Sequence, residues 1–246
     1  MTNKIVILAA GKGTRMLELS KDKPKHLIPV KAKPFIYYLL KNIKQAGFKE
    51  IILVIGYKKE KMREFAQKYQ GEFDLQLVDQ FAILGTEKYG TACPIECVAQ
   101  IINKKNFVVV NGDDLYSAEN LKKIKGTKNN YSYVAGYHHK APEHYGLHKI
   151  DQNGFLESII EKPKAGIDFD DKHPLNYLIN IGMYKFTPEI FWAIKKIKKS
   201  PRGEYEITDA ITLLASRKKV KVIQIQDGWK SFTNPDDIKK MEKIIG

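Results

Sequence analysis

Gly11-Lys12-Gly13-Thr14-Arg15 follows directly on an apolar run from Ile5 to Ala10, and its residue types are those of an anion cradle. Glycines let backbone N–H groups come close to an anion, and Lys12, Thr14 and Arg15 add side-chain donors around it. Lys25 lies ten residues beyond Arg15, so this one segment carries three cations able to neutralise a polyphosphate from several sides. Arg15 suits bidentate contact with phosphate oxygens, whereas Lys25 is a mobile point charge. The segment is neither of two common phosphate loops. Walker A needs four residues between its glycines and then Lys-Ser/Thr, and Met16 stands where the dinucleotide fingerprint needs a third Gly or Ala. Far along the chain Asp113 and Asp114 close a second apolar run, where a carboxylate suits a hard cation such as Mg²⁺ that also bridges phosphates. An adjacent Asp pair serves equally as a turn that caps a following helix.

For these groups to meet, the elements carrying them must end on one side of the molecule. Ile5 to Ala10 is a continuous apolar run of strand length, as expected of a strand buried on both faces of a parallel sheet. Pro34 is placed as a first helical residue, Phe35, Ile36, Leu39, Leu40 and Ile43 recur at helical spacing, and Gly47 supplies the stop. Ile51 to Ile55 reads as a strand, Lys58 to Lys68 as a helix, Leu75 to Val78 as a strand, Thr91 to Ile102 as a helix and Phe107 to Asn111 as a strand. This alternation predicts an α/β fold with a doubly wound sheet, in which ligands sit beyond the carboxyl ends of the strands. From Tyr131 onward shorter strands and turn signals such as Asp151-Gln152-Asn153-Gly154 predict a partly antiparallel second half. A closing helix is expected to start at Asn234-Pro235-Asp236-Asp237, with Asn234 as N-cap. With no repeat or linker, residues 1–246 are expected to form a single domain.

Lys and Arg total 42 against 28 Asp and Glu, a net charge of +14 that draws polyanions. The lysines are scattered rather than packed into basic runs, which describes a solvated surface, and no helix-turn-helix, RNP or finger pattern points to nucleic acid. Cys93 and Cys97 have no CxxC spacing and are expected to pack in the core of a protein from a reducing compartment. No apolar run approaches membrane-spanning length and no signal peptide is evident, so a cytoplasmic protein without a membrane partner is expected. His138, His139, His144 and His148 cluster without a thiolate, HExxH or finger spacing. They read as polar strand ends rather than a zinc site. Tyr131, Tyr133 and Tyr137 alternate at strand period and are expected to pack.

The segments LAAGKGTRM, PKHLIPV, KPFIYYLL, GDDLY, EKP and RGEYEITDA, in this order and spanning nearly the whole chain, resemble the sugar-1-phosphate nucleotidyltransferases, especially the glucose-1-phosphate thymidylyl- and uridylyltransferase group. The resemblance implies a Rossmann-like, mixed and mainly parallel sheet. It implies that a nucleoside triphosphate and a sugar 1-phosphate share one pocket, where the sugar phosphate oxygen attacks the α-phosphorus in line and releases pyrophosphate. Carried onto this sequence, Leu8, Ala10 and Gly11 line the nucleoside, Gly13, Thr14 and Arg15 the phosphates, and Arg15 and Lys25 are the catalytic pair. Gln80 matches the glutamine that reads the edge of uracil or thymine, which favours UTP or dTTP. Two Gly-Thr turns follow it: Gly85-Thr86 at the family's distance from the glutamine, and Gly90-Thr91-Ala92 with the family's downstream context. An insertion of about five residues therefore lies in the base-binding loop; Gly85 and Thr86 are taken as the nucleotide contacts. On the acceptor side the resemblance implies Tyr145, Gly146, Glu161, Lys162, Asn180 and Arg202, with glucose 1-phosphate favoured.

The cofactor implied is Mg²⁺ on Asp113. The family's second carboxylate belongs in a Trp-x-Asp motif, whereas this chain reads Trp229-Lys230-Ser231. Either the metal leans on Asp113, water and substrate phosphates, or Asp227, Asp114 or Asp236 substitutes, or activity is reduced. The alternatives in function are a cytidylyltransferase for phosphocholine or another phosphomonoester, and a non-catalytic nucleotide-sugar binder. A homo-oligomer is compatible with the sequence and is not specified by it.

Overall fold

The computed structural model describes residues 2–128 and 130–245, the Leu17 side chain apart. Along the chain run β1 (Lys4–Ala9), β2 (Pro29–Val30), β3 (Lys33–Pro34), α1 (Phe35–Gln45), β4 (Glu50–Ile55), α2 (Lys59–Lys68), β5 (Leu75–Asp79), α3 (Gln80–Leu84), α4 (Cys93–Glu96), α5 (Ala99–Ile102), β6 (Phe107–Asn111) and β7 (Asp114–Tyr116). There follow α6 (Ala118–Lys125), β8 (Ser132–His138), β9 (Gly146–Ile150), β10 (Leu156–Glu161), β11 (Leu178–Phe186), α7 (Glu189–Ile194), α8 (Ile207–Ala215), β12 (Val220–Gln224), β13 (Trp229–Ser231) and α9 (Asp237–Ile245).

Nine of the strands form one sheet in the order β10-β9-β11-β6-β1-β4-β5, with β8 and then β12 joined to β11. β6, β1, β4 and β5 are parallel to one another, β11 runs against β6, and the antiparallel pair β9–β10 forms the far edge. Both faces are covered. Along β1, Ile5, Ile7 and Ala9 join the core cluster of α1, whereas Val6 joins the opposite one with Ile52, Val54 and Val109. Alternate side chains of a strand point to opposite faces, so a run apolar at every position must be packed on both.

α1 buries Phe35, Ile36, Leu39, Leu40 and Ile43 against the sheet, the stripe expected from spacing. It ends where Gly47, at φ 77, allows a six-to-one bond from Phe48 N–H to Ile43 carbonyl at 3.4 Å. Pro34 is the N-cap rather than the first helical residue, because its own backbone is still extended at ψ 146. The expected helix from Thr91 to Ile102 is two short ones, since Thr91 and Ala92 are taken up by contacts with residues 205–207 and the chain leaves helical geometry again at Val98. At the closing helix no side-chain bond from Asn234 to the first turn is seen among the described residues; the Asp237 carboxylate instead accepts the N–H groups of Thr233 and Asn234, both at 2.9 Å, and ties the incoming chain to the helix start. Asp151 binds the hairpin turn between β9 and β10 as its sequence suggested, its carboxylate accepting from Asn153 and Phe155.

Candidate active site

β1 lies between β4 and β6, so successive crossovers leave it in opposite directions and open a crevice beyond the carboxyl ends of β1 and β6. A cavity of about 340 Å³ lies there. The loop after β1 supplies one wall, with Ala10, Gly11, Lys12, Gly13, Thr14 and Arg15 on it. Gly13 is held in the left-handed region at φ 68, and a Cβ on it would meet the Lys25 side chain at 3.0 Å. Glycine is thus needed there both for the turn and for the passage of Lys25. A 3-10 helix, Thr14–Ser20, begins immediately, tied back by Ser20 Oγ donating to the Gly13 carbonyl at 3.1 Å. Lys12 and Arg15 make no ion pair among the described residues, so their charge is free for a ligand.

The opposite strand end brings Asp113. Gly112 lets β6 turn across β1, since a Cβ there would lie 2.7 Å from the Leu8 carbonyl oxygen. The Asp113 carboxylate then accepts directly from Lys25 Nζ on the cavity wall. Burial alone would raise its pKa; the Lys25 ammonium outweighs that and holds the carboxyl below its ordinary value. His26, next to Lys25 and fully buried, is held neutral by burial first and the Lys25 charge second, with its pKa pushed down to about 3. Asp114 points elsewhere. Its carboxylate accepts from Asn111 Nδ2 at 3.1 Å and Tyr116 Oη at 3.2 Å, and burial followed by the Asp113 charge pushes its pKa up to about 7. Ser231 lies opposite Asp114 in the β7–β13 register and hydrogen-bonds to it. A carboxylate at residue 231 would face Asp114, itself already beside Asp113.

Gln80, at the start of α3, forms another wall together with Leu8. It is buried, and its amide oxygen has no partner among the described residues. A buried acceptor without a partner is costly, and a ligand N–H would satisfy it. Of the two Gly-Thr turns, Gly90 and Thr91 stand on the cavity wall, whereas Gly85 and Thr86 do not. Gly85 ends α3 in open surroundings, and Thr86 is exposed. Gly90 is instead pressed against Tyr205: Tyr205 N–H donates to the Tyr89 carbonyl at 3.0 Å and Ala92 N–H to the Tyr205 carbonyl at 2.9 Å. Thr91 Oγ1 accepts from Ile207 N–H at 2.9 Å. Between the two turns Glu87 is exposed, whereas Tyr89 and the second turn line the cavity.

The acceptor-side residues gather beside this cavity rather than on its wall. A Cβ at Gly146 would lie 3.3 Å from Glu161 Oε1 and 3.5 Å from Asn180 Cβ, so these three share one patch across β9, β10 and β11. Asn180 Nδ2 donates to Tyr184 Oη at 2.9 Å. Burial raises the Glu161 pKa, with the nearby Arg202 charge pulling the other way. Arg202 donates to Glu206 at 2.9 Å, and Lys162 is exposed at φ 48. Tyr145 joins patch and cavity: it packs edge-on against Trp229, and the charges of Asp114 and Arg15 both reach its hydroxyl. No group of three or more potential metal ligands occurs among the described residues. His138 bonds to the Tyr177 carbonyl, His139 packs on Tyr145, and His144 is exposed. His148 departs from the expected strand end, being buried in mid-strand with both ring nitrogens unpartnered. Cys93 and Cys97 are free and buried, and burial pushes their pKa values up to about 11 and about 12.

The family model described as nucleotidyl transferase matches residues 4–245. The chain belongs to the nucleotidyl transferase family. The UTP–glucose-1-phosphate uridylyltransferase AglF of Haloferax volcanii is 31% identical over 247 residues, covering 98% of this chain and 95% of that protein. The bifunctional protein GlmU of Methanocaldococcus jannaschii is 32% identical over 241 residues, covering 98% of this chain but 53% of the relative. The chain thus spans about half the length of several curated relatives it matches. A solved UDP-glucose pyrophosphorylase in complex with UDP-glucose superimposes with a TM-score of 0.81 at 23% identity, covering 100% of this chain and 98% of the other; this likeness shows the fold.

Among the side chains of this nucleotidyl transferase that line the cavity without having been singled out from sequence are Tyr89 and Glu204. Glu204 lies inside RGEYEITDA, where only the arginine was assigned a role. Tyr89 lies in the lengthened loop, whose path depends on the distant Tyr205.

Proposed function

We propose that the chain joins a nucleoside triphosphate to a sugar 1-phosphate, giving a nucleotide-sugar and pyrophosphate, with UTP or dTTP and glucose 1-phosphate favoured. The observation behind this reading is convergence: Arg15, Lys25 and Asp113 line one cavity, and so does Gln80, whose amide oxygen has no partner among the described residues. Phosphoryl transfer of this type depends on positioning and charge stabilisation rather than on a protein nucleophile. Backbone N–H groups of the Gly11–Thr14 turn and the Arg15 guanidinium hold the polyphosphate. Lys25, held by Asp113 before substrate arrives, turns to the charge that builds up at the α-phosphorus. Gln80 offers one donor and one acceptor to a uracil or thymine edge.

The residues present fit a divalent cation held by one protein carboxylate. Asp113 faces the cavity, whereas Ser231 is neutral and turned to Asp114. Mg²⁺ usually takes one or two carboxylates and completes its shell with water and phosphate oxygens. Bound there, it would neutralise phosphate charge and orient the leaving pyrophosphate. The test is a panel of nucleoside triphosphates and sugar 1-phosphates with Mg²⁺, read by mass spectrometry of the nucleotide-sugar formed. UDP- or dTDP-glucose with stoichiometric pyrophosphate is expected; nucleotide binding without product from any sugar phosphate would identify a binding protein instead.

A further inference from the structure

Glu204 is an acid on a wall built for phosphate. Lys12, Arg15 and Lys25 suit a polyphosphate, but the Glu204 carboxylate is half-buried, lines the same cavity and makes no ion pair among the described residues. Beside it the Tyr89 ring lines the cavity too, and its hydroxyl lies within reach of the charges of both Glu204 and Lys25. Both side chains ride on one clamp. Tyr205, the residue after Glu204, exchanges two main-chain hydrogen bonds with the loop of Tyr89, at 3.0 and 2.9 Å. Gly90, at φ 134, allows an approach so close that a Cβ would lie 2.3 Å from the Tyr205 oxygen. A carboxylate repels phosphate oxygens and accepts from hydroxyls, while a phenol can donate and accept. An acid and a phenol carried on this clamped backbone and lining a cationic pocket are therefore suited to the uncharged, hydroxyl-bearing part of a substrate.

We propose that Glu204 and Tyr89 form a hydroxyl-reading pair that determines specificity for the carbohydrate portion of the substrate, Glu204 accepting its hydroxyl protons and the Tyr89 phenol completing the contact. The inference rests on the nucleotidyl-transfer reading above and adds to it the residues that select a polyhydroxylated partner. Two sources offer such hydroxyls, the ribose of the triphosphate and the sugar of the sugar phosphate.

Calorimetric titration of the wild type, Glu204→Ala, Glu204→Gln and Tyr89→Phe separates them. The probes are UTP, inorganic tripolyphosphate, and glucose 1-phosphate in the presence of the non-transferable α,β-methylene UTP, with thermal melting as a check on folding. Glu204→Ala and Tyr89→Phe are expected to weaken one hydroxyl-bearing probe about 10-fold, the effect of losing one good hydrogen bond. Glu204→Gln should lose less, and tripolyphosphate should bind as tightly as before or more tightly once the acid is gone. Loss confined to UTP assigns the ribose; loss confined to glucose 1-phosphate assigns the sugar. Equal weakening of tripolyphosphate would show that the pair merely holds the cavity's shape, and unresponsive variants beside a wild type that binds would show that it reads nothing. Either result overturns the proposal alone, whereas a wild type that binds none of the probes overturns the nucleotidyl-transfer reading and the pair with it.

Discussion

Lys25 and Arg15 carry the same charge and play different structural parts, which makes their substitutions informative as a pair. Lys25 and Asp113 are both largely buried and bound to each other, so Lys25→Ala leaves an uncompensated carboxylate. It is expected to lower stability by about 3 kcal/mol, the lower end for breaking a buried pair, as well as to abolish turnover. Arg15 is exposed and unpaired among the described residues. Arg15→Ala should therefore leave the melting temperature unchanged while lowering kcat on the order of 100-fold, more than it weakens sugar phosphate binding. Urea denaturation beside initial-rate kinetics checks both, and a stable Lys25→Ala protein would show that the ion pair contributes little. That Arg15, Lys25 and Asp113 would meet at one crevice was legible from residue type and position beyond strand ends, and Gln80 was marked by the family resemblance; all four line the cavity. The choice between Gly85-Thr86 and Gly90-Thr91 was not legible, since both pairs are adequate turns locally and contact with Tyr205 decides which reaches the cavity.

At the scale of elements, the loop between α3 and α4 depends on one glycine. A Cβ at Gly90 would collide with the Tyr205 backbone, whereas Gly85 has open space and only its φ of 74 to oppose a side chain. Gly90→Ala is expected to destabilise by more than about 2 kcal/mol and to impair nucleotide binding; Gly85→Ala, at φ 74 and ψ 177 in a region essentially confined to glycine, should cost roughly 1–3 kcal/mol and leave binding intact. Equal losses of nucleotide binding by titration would mean that the clamp to Tyr205 is not what places the wall. Strands β1, β4 and β6 and helix α1 were legible because long apolar periodicities admit few alternatives. The 3-10 helix Thr14–Ser20 and the short β7–β13 pair were not. Neither has a periodicity of its own, and each exists because of a remote partner: the Gly13 turn with Lys25 behind it, and the meeting of Asp114 with Ser231.

For the molecule as a whole, buried titratable groups set the response to acid. His148 is fully buried, burial lowers its pKa from 6.5 to about 3, and His26 behaves alike. The unfolded chain therefore binds more protons than the folded one between these values, so the contribution of each to stability is present above about pH 6.5 and is lost as pH falls through the window. Asp114 opposes them: with its pKa raised from 3.8 to about 7, the folded state holds the extra proton and stability from this group declines as pH rises. His148→Leu, which also removes two unpartnered nitrogens, is expected to flatten the fall in urea midpoint between pH 6.5 and 4; an unchanged slope would show that His148 is hydrated. No helix among the described residues is long and apolar enough to cross a membrane. The charge of +14 is spread over a surface that also carries many exposed ion pairs, as the scattered lysines suggested. We propose that residues 1–246 unfold as one cooperative unit, since one sheet separates and organises both core clusters.

A crystal structure of the wild type with α,β-methylene UTP and Mg²⁺ decides whether these groups converge on one polyphosphate. The polyphosphate is expected between the Arg15 guanidinium and the Lys25 ammonium, the metal on Asp113 and the uracil edge on Gln80. A nucleotide bound with its phosphates away from Arg15 and Asp113 would contradict that convergence.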